Sequence, residues 1–533
     1  MSLALLVVGT TIIATIAWYF LNRSEENNRE EYARRNVKYL PQRNAFLQMV
    51  FKERLEEAKH EFFKQGHRIF GYNFLNAYTI SAAEPELAQV VLSKEFTNFT
   101  NRRAFETNDP FFQNAISIVK DETWKRLRAV MTPTFSTGKL RRMKPLVDDT
   151  IRTLNKNMAN AIKSSSDVNM KQIYGAFTMD TIIQVAFGTK VDSLVEPNNP
   201  VITYAKKLFS VDISFKNIIK FTMILMAPKL ANFLKIRINP EVTDFFYKFS
   251  MDIINQKRKN MKNGNIGKAN NFIELLLEAE VENEEEAAKL KLTEESNVDE
   301  FGFKKSTKYI TNDELVAQCS LFFLAGYDTT ATTLTMASYL LATNPDKQEK
   351  LYKEALSVLG KLSEEAGPDG SKDPVDLITL ESLSRFEYLA AVVNETLRLY
   401  SPATFVEREV SKDMTIQKED GSCKIHLKKN DIIQFPVYSM HRDPEQFSDP
   451  ESFKPERFLG EPNFHKYAYI PFGSGPRNCI ARSLALLEAK MALLHTIRQY
   501  KLSVSSKTKI PPDFYFQSQI IVPRDIILKV ERR

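Results

Sequence analysis

The sequence predicts a mainly α-helical fold with a minor β region and one N-terminal transmembrane helix. Apolar residues that recur every three to four positions indicate long amphipathic or buried helices. These helical stretches cover residues 123–131, 143–164, 170–186, 241–261, 313–343, 345–359, 384–399 and 481–500. Short runs of β-forming residues predict strands, and they lie near Ile416 and at residues 425–427, 431–437 and 520–530.

Composition excludes several classes of protein. The chain has 533 residues, of which 43% are hydrophobic and 26% charged, as in ordinary globular proteins. Its net charge of +7 is spread among nearly as many acidic residues, so nucleic acid is not an expected partner. Cys319, Cys423 and Cys479 are few and far apart, which argues against a disulfide framework and against a zinc or iron–sulfur site.

The transmembrane prediction rests on the first 22 residues. Residues 2–22 contain no charged side chain, and at ~1.5 Å per residue a helix of this length crosses the ~30 Å hydrocarbon layer. A cleaved signal peptide is the alternative, but a basic stretch before the apolar run and a clear A-x-A site are both missing. Basic residues directly after the segment predict that the rest of the chain stays in the cytosol; they are Arg23, Arg29, Arg34, Arg35 and Lys38.

Three other stretches carry weaker predictions. Residues 53–70 have a helical pattern. Residues 264–309 are rich in charge and predict a solvated surface connection. The segment from Leu208 to Ile238 mixes large apolar residues with lysines, which suits a surface that enters the lipid headgroups. A buried helix pair explains that last pattern almost as well.

The most specific segment runs from Phe472 to Ala481, with the sequence Phe-Gly-Ser-Gly-Pro-Arg-Asn-Cys-Ile-Ala, and a helix follows it. A glycine- and proline-containing loop brings Cys479 to a helix N-terminus, where backbone N–H groups and the helix dipole favour a thiolate. The glycines also let the loop approach a flat ligand closely. A dinucleotide-binding loop is a poor alternative, because the third glycine of that motif is missing.

This segment resembles the cysteine-ligand loop of the cytochrome P-450 family, Phe-x-x-Gly-x-Arg-x-Cys-x-Gly. Phe472, Gly475, Arg477 and Cys479 match the pattern, whereas Ala481 replaces the last glycine. The resemblance implies a cytochrome P-450 fold in which Cys479 is the axial ligand of the iron of haem b. It also implies that Phe472 shields the sulfur and that Arg477 pairs with a haem propionate.

A second match is Ala-Gly-Tyr-Asp-Thr-Thr at residues 325–330, inside the helix predicted over 313–343. Taken alone, it is a helix weakened by its glycine by roughly 1 kcal/mol. In the family that it resembles, such an acid–threonine pair supports oxygen activation. Asp328 and Thr329 are therefore the predicted catalytic residues, and Ala325 is predicted to lie beside the haem.

A third match is Glu395-Thr-Leu-Arg398, followed downstream by Arg457. A glutamate and an arginine three residues apart on a helix are most often an exposed salt bridge. The resemblance instead implies a buried structural triad of Glu395, Arg398 and Arg457.

Further positions resemble the family's haem-carboxylate partners. Trp124 and Arg128 lie one helical turn apart, and Arg408 follows Pro402. Together with Arg477 they resemble a clamp around the two propionates, since cations neutralise carboxylates strongly in a low-dielectric pocket. His441 has ligand chemistry, but the family uses that stretch as a structural turn, so we do not assign it to iron.

The resemblance implies an enzyme: a monooxygenase that inserts one oxygen atom from O2 into lipophilic compounds of xenobiotic, steroid or fatty-acid type. Electrons would come from an NADPH-dependent flavoprotein reductase, with cytochrome b5 as a further partner. Two alternatives remain, a haem-thiolate isomerase that needs no reductase and a non-catalytic haem-binding membrane protein. The finer likeness is to animal microsomal members, which implies a single-pass protein of the endoplasmic reticulum membrane, in contact with lipid.

The predicted organisation is an anchor at residues 1–22, a linker at 23–45 and one haem-thiolate monooxygenase domain at 46–533. An acidic reductase is expected near Lys125, Arg126, Lys466 and Arg482. The residues expected to face the substrate are the 103–118 loop, Phe322, Phe323, Ala325, 404–406 and 514–517.

Overall fold

The computed structural model describes most of the chain after the first 25 residues. The described residues are 26–40, 55–74, 77–104, 109–196, 199–209, 220, 223–224, 228–237, 239–263, 271–277, 309–367, 373–515 and 520–533. The predicted anchor lies outside these residues. Within them, no helix is both long and apolar enough to cross a membrane.

Helices dominate the described residues, in chain order α1 (26–34), α2 (Leu55–Lys64), α3 (Pro85–Gln89), α4 (Pro110–Asn114), α5 (Asp121–Met131), α6 (Thr137–Ser164), α7 (Met170–Phe187), α8 (Pro200–Phe209), α9 (Pro228–Phe233), α10 (Pro240–Lys262), α11 (Phe272–Leu277), α12 (Asn312–Thr343), α13 (Pro345–Ala366), α14 (Pro374–Leu377), α15 (Glu387–Leu399), α16 (Val437–Met440) and α17 (Arg482–Gln499). Many of them begin with proline, whose fixed φ suits the first helical position.

The strands are short, namely β1 (Ile69–Phe74), β2 (Ala77–Ala82), β3 (Asp167–Asn169), β4 (Val406–Glu409), β5 (Met414–Gln417), β6 (Lys424–Leu427), β7 (Ile432–Phe435), β8 (Tyr500–Ser503), β9 (Phe514–Tyr515), β10 (Val522–Pro523) and β11 (Ile527–Arg532). The mainly α fold with a minor β region is thus confirmed.

The chain divides into two compact units. The first comprises residues up to 103 together with 405–440, and the second comprises 104–404 together with 441–533. In the first unit, β1, β2, β7 and β4 form a sheet in that order, with β2 and β7 parallel and β4 at an edge. Helix α1 is joined to this sheet by Tyr32, whose hydroxyl bonds to the backbone of Tyr72 and Thr79.

The second unit is built around α12, which is buried along most of its length and packs against α7, α10, α15 and α17. Its start is fixed by a capping box, in which Thr311 and Glu314 each bond to the other's backbone N–H. Because the helix is apolar on nearly every side, it can lie in the centre of the unit.

The predicted helices agree with the structure to within a few residues, apart from α6 and α13, which extend six to seven residues further. The helix predicted over residues 53–70 is wrong for its last six residues. It ends at Lys64, Gly66 takes a left-handed φ of 87°, and β1 follows. The pattern missed this because apolar residues on a short buried strand can mimic helical spacing. Most of the charged 264–309 segment lies outside the described residues.

Candidate active site

The loop before α17 presents the thiol of Cys479. Gly473 and Gly475 both adopt positive φ, 69° and 72°, which L side chains rarely tolerate. The loop closes on itself, because the backbone N–H of Cys479 donates to the carbonyl of Phe472 at 2.8 Å. Cys479 itself is exposed. The loop therefore places an exposed cysteine side chain three residues before the first turn of α17.

Two residues of α5, Trp124 and Arg128, contact this loop. Arg128 donates to the carbonyl of Asn478 at 2.9 Å and to its side-chain oxygen at 2.7 Å. Arg477 is 2% exposed, lies 4.8 Å over the ring of Trp124 and donates to the carbonyl of Val119 at 2.5 Å. The structure thus brings Trp124, Arg128 and Arg477 together beside Cys479. Asn478 is a contact that the sequence analysis missed.

Helix α12 offers a short exposed surface in its middle. Beyond the first turn of this fully described helix, Ala325 is the only exposed residue. Leu321, Leu324 and Thr329 are partly exposed on neighbouring positions, and the hydroxyl of Thr329 donates to the carbonyl of Ala325 at 2.8 Å. An exposed alanine inside a buried helix indicates a place where a ligand can approach the backbone. Leu321 and Leu324 were not predicted, although Leu321, four residues before Ala325, could have been found from helical spacing.

The side chain of Asp328 is buried, unlike the partly exposed Thr329. Its buried carboxylate accepts a hydrogen bond from Lys171, at the start of α7, with 2.6 Å between the two atoms. Nearby, Thr178 of α7 donates to the carbonyl of Tyr327 at 2.9 Å. Asp328 therefore belongs to the contact between α7 and α12. No sequence signal pairs Lys171 with Asp328, because 157 residues separate them.

Glu395, Arg398 and Arg457 are in direct contact. Arg398 binds both carboxylate oxygens of Glu395, at 2.7 and 2.8 Å, and neither side chain is exposed. Arg457 approaches the same carboxylate at 3.3 Å. Nη1 of Arg398 donates to the carbonyls of His441 and Pro450, both at 2.7 Å, and Nη2 donates to the carbonyl of Ser452 at 3.2 Å. The arginine thus fastens α15 to the chain that leads towards the cysteine loop.

His441 is buried among these groups. Its Nε2 accepts from the backbone N–H of Ile470 at 2.9 Å, while Nδ1 lies 3.2 Å from the carbonyl of Arg398. Burial and then the charge of Arg398 lower the pKa of His441 to about 3, so the ring is neutral. This arrangement joins two backbone segments.

Several predicted positions take part in aromatic packing. Phe322 packs 4.0 Å from Phe272 of α11, and Phe323 packs 4.9 Å from Phe246 of α10. Their contact with substrate stays a prediction. Phe514 stacks on Tyr400, and 516–517 lie outside the described residues.

The position of Arg126 contradicts the prediction that it faces an acidic reductase. It is buried and ion-paired with Glu314 of α12, and its NH1 donates to the carbonyl of Tyr309 at 2.8 Å. Burial would raise the pKa of Glu314, but the hydrogen bonds from Arg126 and Thr311 outweigh it and the pKa is lowered. Arg126 is therefore not available to an acidic partner, whereas Lys466 and Arg482 are exposed.

In the first unit, Arg408 is fully buried on β4 and donates to the carbonyl of Glu407 at 2.8 Å. Arg103, at the start of the predicted substrate loop, binds Thr79 at 2.9 Å and Glu407 at 3.3 Å. This end of the loop is therefore attached to the sheet, residues 105–108 lie outside the described residues, and the contact of the loop with substrate stays a prediction.

Comparison with known proteins identifies the family. The cytochrome P450 family model matches residues 38–530. The chain belongs to the cytochrome P450 family. Among its relatives, a lithocholate 6-beta-hydroxylase of Mesocricetus auratus is 34% identical over 88% of this chain and 86% of the relative. Cytochrome P450 3A9 of Rattus norvegicus is 32% identical over 85% and 82%, and cytochrome P450 3A7 of Homo sapiens 31% identical over 89% and 86%.

This cytochrome P450 is a haem-thiolate monooxygenase for lipophilic substrates, and it uses haem b, O2 and electrons that a reductase takes from NADPH. The residues present fit that cofactor. A flat porphyrin with two carboxylates needs an exposed thiol, a small residue on its other side and basic partners. Cys479, Ala325, Arg477 and Arg128 have these properties.

Proposed function

We propose that Cys479 is the axial ligand of the haem iron in a membrane-bound monooxygenase. The observation that supports this most strongly is the exposed thiol on a loop fixed at both of the preceding residues, Arg477 and Asn478. A thiolate ligand pushes electron density onto iron and favours O–O cleavage. Trp124, Arg128 and Arg477 would hold the propionates of the group, and Phe472 and Gly475 shape the loop.

The carbon monoxide difference spectrum of the reduced protein tests this proposal. We expect a strongly red-shifted Soret band in the wild type and in Cys423→Ser, a matched control at a cysteine outside the site. Cys479→Ser should lose the band, because a hydroxyl is not a thiolate. A red-shifted band that survives in Cys479→Ser, or bound haem without such a band in the wild type, would refute the assignment.

We further propose that Thr329 holds and passes a proton at its Oγ1 during oxygen activation. Its hydroxyl lies on the exposed surface of α12 and is fixed by Ala325. Asp328 is the proposed relay, and its carboxylate is held in an ion pair with Lys171 at 2.6 Å. The carboxylate therefore has to take up a proton, from the Lys171 ammonium or from water, before it can pass one on towards Thr329.

The substrate that we propose is a bulky lipophile of steroid, xenobiotic or fatty-acid type. The partly exposed residues of α12, Leu321, Leu324 and Ala325, are apolar and suit such a molecule. The name of the first relative above states that it hydroxylates lithocholate at the 6-beta position. Lithocholate is therefore the first compound to test, with NADPH and a reductase. Turnover without NADPH would instead support an isomerase.

We propose a single-pass location in the endoplasmic reticulum membrane with residues 1–22 as the anchor and the rest in the cytosol. Near α9, Leu230, Phe233 and Leu234 are exposed, Phe233 to 82%, and Lys229 and Lys235 lie beside them. Apolar side chains flanked by lysines suit the lipid interface. The flavoprotein reductase, and cytochrome b5, would dock near the exposed Lys466 and Arg482.

A further inference from the structure

Residues 448–452, here called the collar, form a surface turn in the second unit, next to the buried triad of glutamate and two arginines. Every residue of the collar is at least partly exposed. Its backbone nevertheless reaches the triad, because the carbonyls of Pro450 and Ser452 accept from Arg398 at 2.7 and 3.2 Å. A change at this surface therefore acts directly on the arginine that fastens α15.

Ser448 is the first residue of the collar, and its hydroxyl lies beside the second arginine of the triad. The side-chain oxygen of Ser448 accepts from Nη1 of Arg457 at 3.2 Å. Nη2 of Arg457 donates to the carbonyl of Asp449 at 2.8 Å, and Nε lies 3.3 Å from the carboxylate of Glu395. The contact with Glu395 is the longest of these three, so a stronger acceptor at Ser448 would compete with it.

Acidic residues follow Ser448 in the collar. Asp449 and Glu451 stand one and three residues after it, and their side chains are 69% and 64% exposed. They form ion pairs with Lys454 and Arg442, but exposed carboxylates exchange such partners at little cost. Acidophilic protein kinases select a serine by acidic residues at these positions, since charge patterns give kinases their specificity. Ser448 therefore has the exposure and the neighbours that such a kinase requires.

We propose that Ser448 is a phosphorylation site for an acidophilic protein kinase and that its phosphate draws Arg457 away from Glu395. In this reaction the γ-phosphoryl group of ATP passes to Oγ of Ser448, the hydroxyl proton is released and ADP leaves. A phosphoserine carries a charge of about −1.5 to −2 at pH 7 and binds a guanidinium through two hydrogen bonds. The triad then loses one contact, and the chain that leads to the cysteine loop is held less firmly. The consequence for haem rests on the proposed function.

The first test treats the full-length holoprotein, in a phosphate-free detergent, with an acidophilic casein kinase and MgATP. Peptide mass spectrometry then locates the phosphate. We expect phosphate on Ser448 of the wild type and much less in Glu451→Gln, which removes the acid three residues after the serine. Glu445→Gln is the matched control, because this exposed glutamate lies three residues before the serine, and it should keep the wild-type incorporation. A wild type without phosphate on Ser448 would overturn the proposal.

Phosphorus NMR of the phosphorylated protein shows whether Arg457 binds the phosphate. The second pKa of a free phosphoserine is about 6, and a guanidinium in contact with the dianion lowers that pKa. We expect a pKa below that of free phosphoserine in the folded protein and a return to the free value in urea. The lowered pKa should persist in Lys454→Gln, which removes the neighbouring surface cation. A phosphate on Ser448 with the free pKa in the folded protein would contradict its contact with Arg457.

The transfer of haem to apomyoglobin measures how firmly the protein holds its cofactor. We expect phosphorylation to accelerate this transfer about tenfold, the factor that corresponds to losing one charge-assisted hydrogen bond. Kinase-treated Ser448→Ala should match the untreated wild type, and it controls for phosphate elsewhere in the chain. An unchanged transfer rate with phosphate on Ser448 would refute the effect on the triad. If the wild type held no haem, the proposed function would fail, and the NMR pKa would still report whether the phosphate binds Arg457.

Discussion

Asp328 is buried and forms an ion pair with the partly buried Lys171, next to the proposed proton path. Without Lys171 the carboxylate of Asp328 would be an uncompensated buried charge, which costs at most about 3–5 kcal/mol. We expect Lys171→Met to lower the thermal midpoint and the yield of product per NADPH consumed. Lys171→Arg should retain most of both, since it keeps the charge. A wild-type yield of product per NADPH in Lys171→Met would exclude Lys171 from proton delivery.

Thr329 and Thr333 allow a comparison of two similar hydroxyls on α12. Each donates to the carbonyl four residues before it, at 2.8 and 3.0 Å, but Thr333 is buried and Thr329 is partly exposed. We expect Thr329→Ala to consume NADPH with about tenfold less product, because general acid catalysis commonly contributes at least that much. Thr333→Ala should keep the wild-type ratio of product to NADPH. Equal ratios in the two variants would argue against the role of Thr329.

Lys59 of α2 is a buried titratable group in the first unit. Its amine lies 2.5 Å from the side-chain oxygen of Gln434 and 4.7 Å from the ring of Tyr72. Burial lowers the pKa of Lys59 from 10.5 to about 7, although Glu407 opposes the shift. Below pH 7 the amine is charged in both the folded and the unfolded chain, and the full cost of burying that charge applies.

Between pH 7 and 10.5 the unfolded chain keeps a proton that the folded chain has released, so stability from this group rises with pH. We expect the wild type to gain unfolding free energy relative to Lys59→Met between pH 6 and 9, by a few kcal/mol at most. Methionine fills the same space, and Tyr72 still donates to Gln434. Thermal midpoints of both proteins across this range measure the difference, and parallel profiles would contradict the prediction.

At the scale of elements, the contact between α7 and α12 depends on Gly326. A Cβ at this position would lie 2.7 Å from the Cδ1 atom of Ile182, closer than side chains tolerate. We expect Gly326→Ala to destabilise the protein by about 1–3 kcal/mol, the usual cost of overpacking. Adding Ile182→Ala should recover part of this loss in thermal denaturation. If the effects of the two substitutions on stability were simply additive, the close approach of Gly326 to Ile182 would not be the cause of the loss.

At the scale of the whole molecule, the exposed surface around Phe233 should enter the lipid interface. We expect an environment-sensitive dye on Phe233→Cys, in a Cys423→Ser background, to shift to the blue when the full-length protein is in vesicles. Brominated lipids should quench it. The same dye on Leu356→Cys, another exposed apolar position, should show neither effect. Equal signals at both positions would exclude a specific membrane contact at Phe233.

The sequence by itself determined the long helices and the segments that carry the chemistry. Local periodicity is sufficient for an amphipathic helix such as α15, because its apolar residues return to the same face on every turn. The cysteine loop could also be predicted from the sequence, since its glycines and Cys479 lie within one short segment whose spacing is specific. Resemblance then supplied the family, and the comparison with the cytochrome P450 model confirmed it.

Only the tertiary structure decided which distant side chains meet. Arg126 and Arg128 are two residues apart on α5, yet one is buried against Glu314 and the other holds Asn478. Phe322 and Phe323 pack between helices, whereas the small Ala325 is the residue left exposed. The pairing of Lys171 with Asp328 has the same origin. Which side chains meet depends on how helices that are more than a hundred residues apart pack together. The local sequence does not encode that packing.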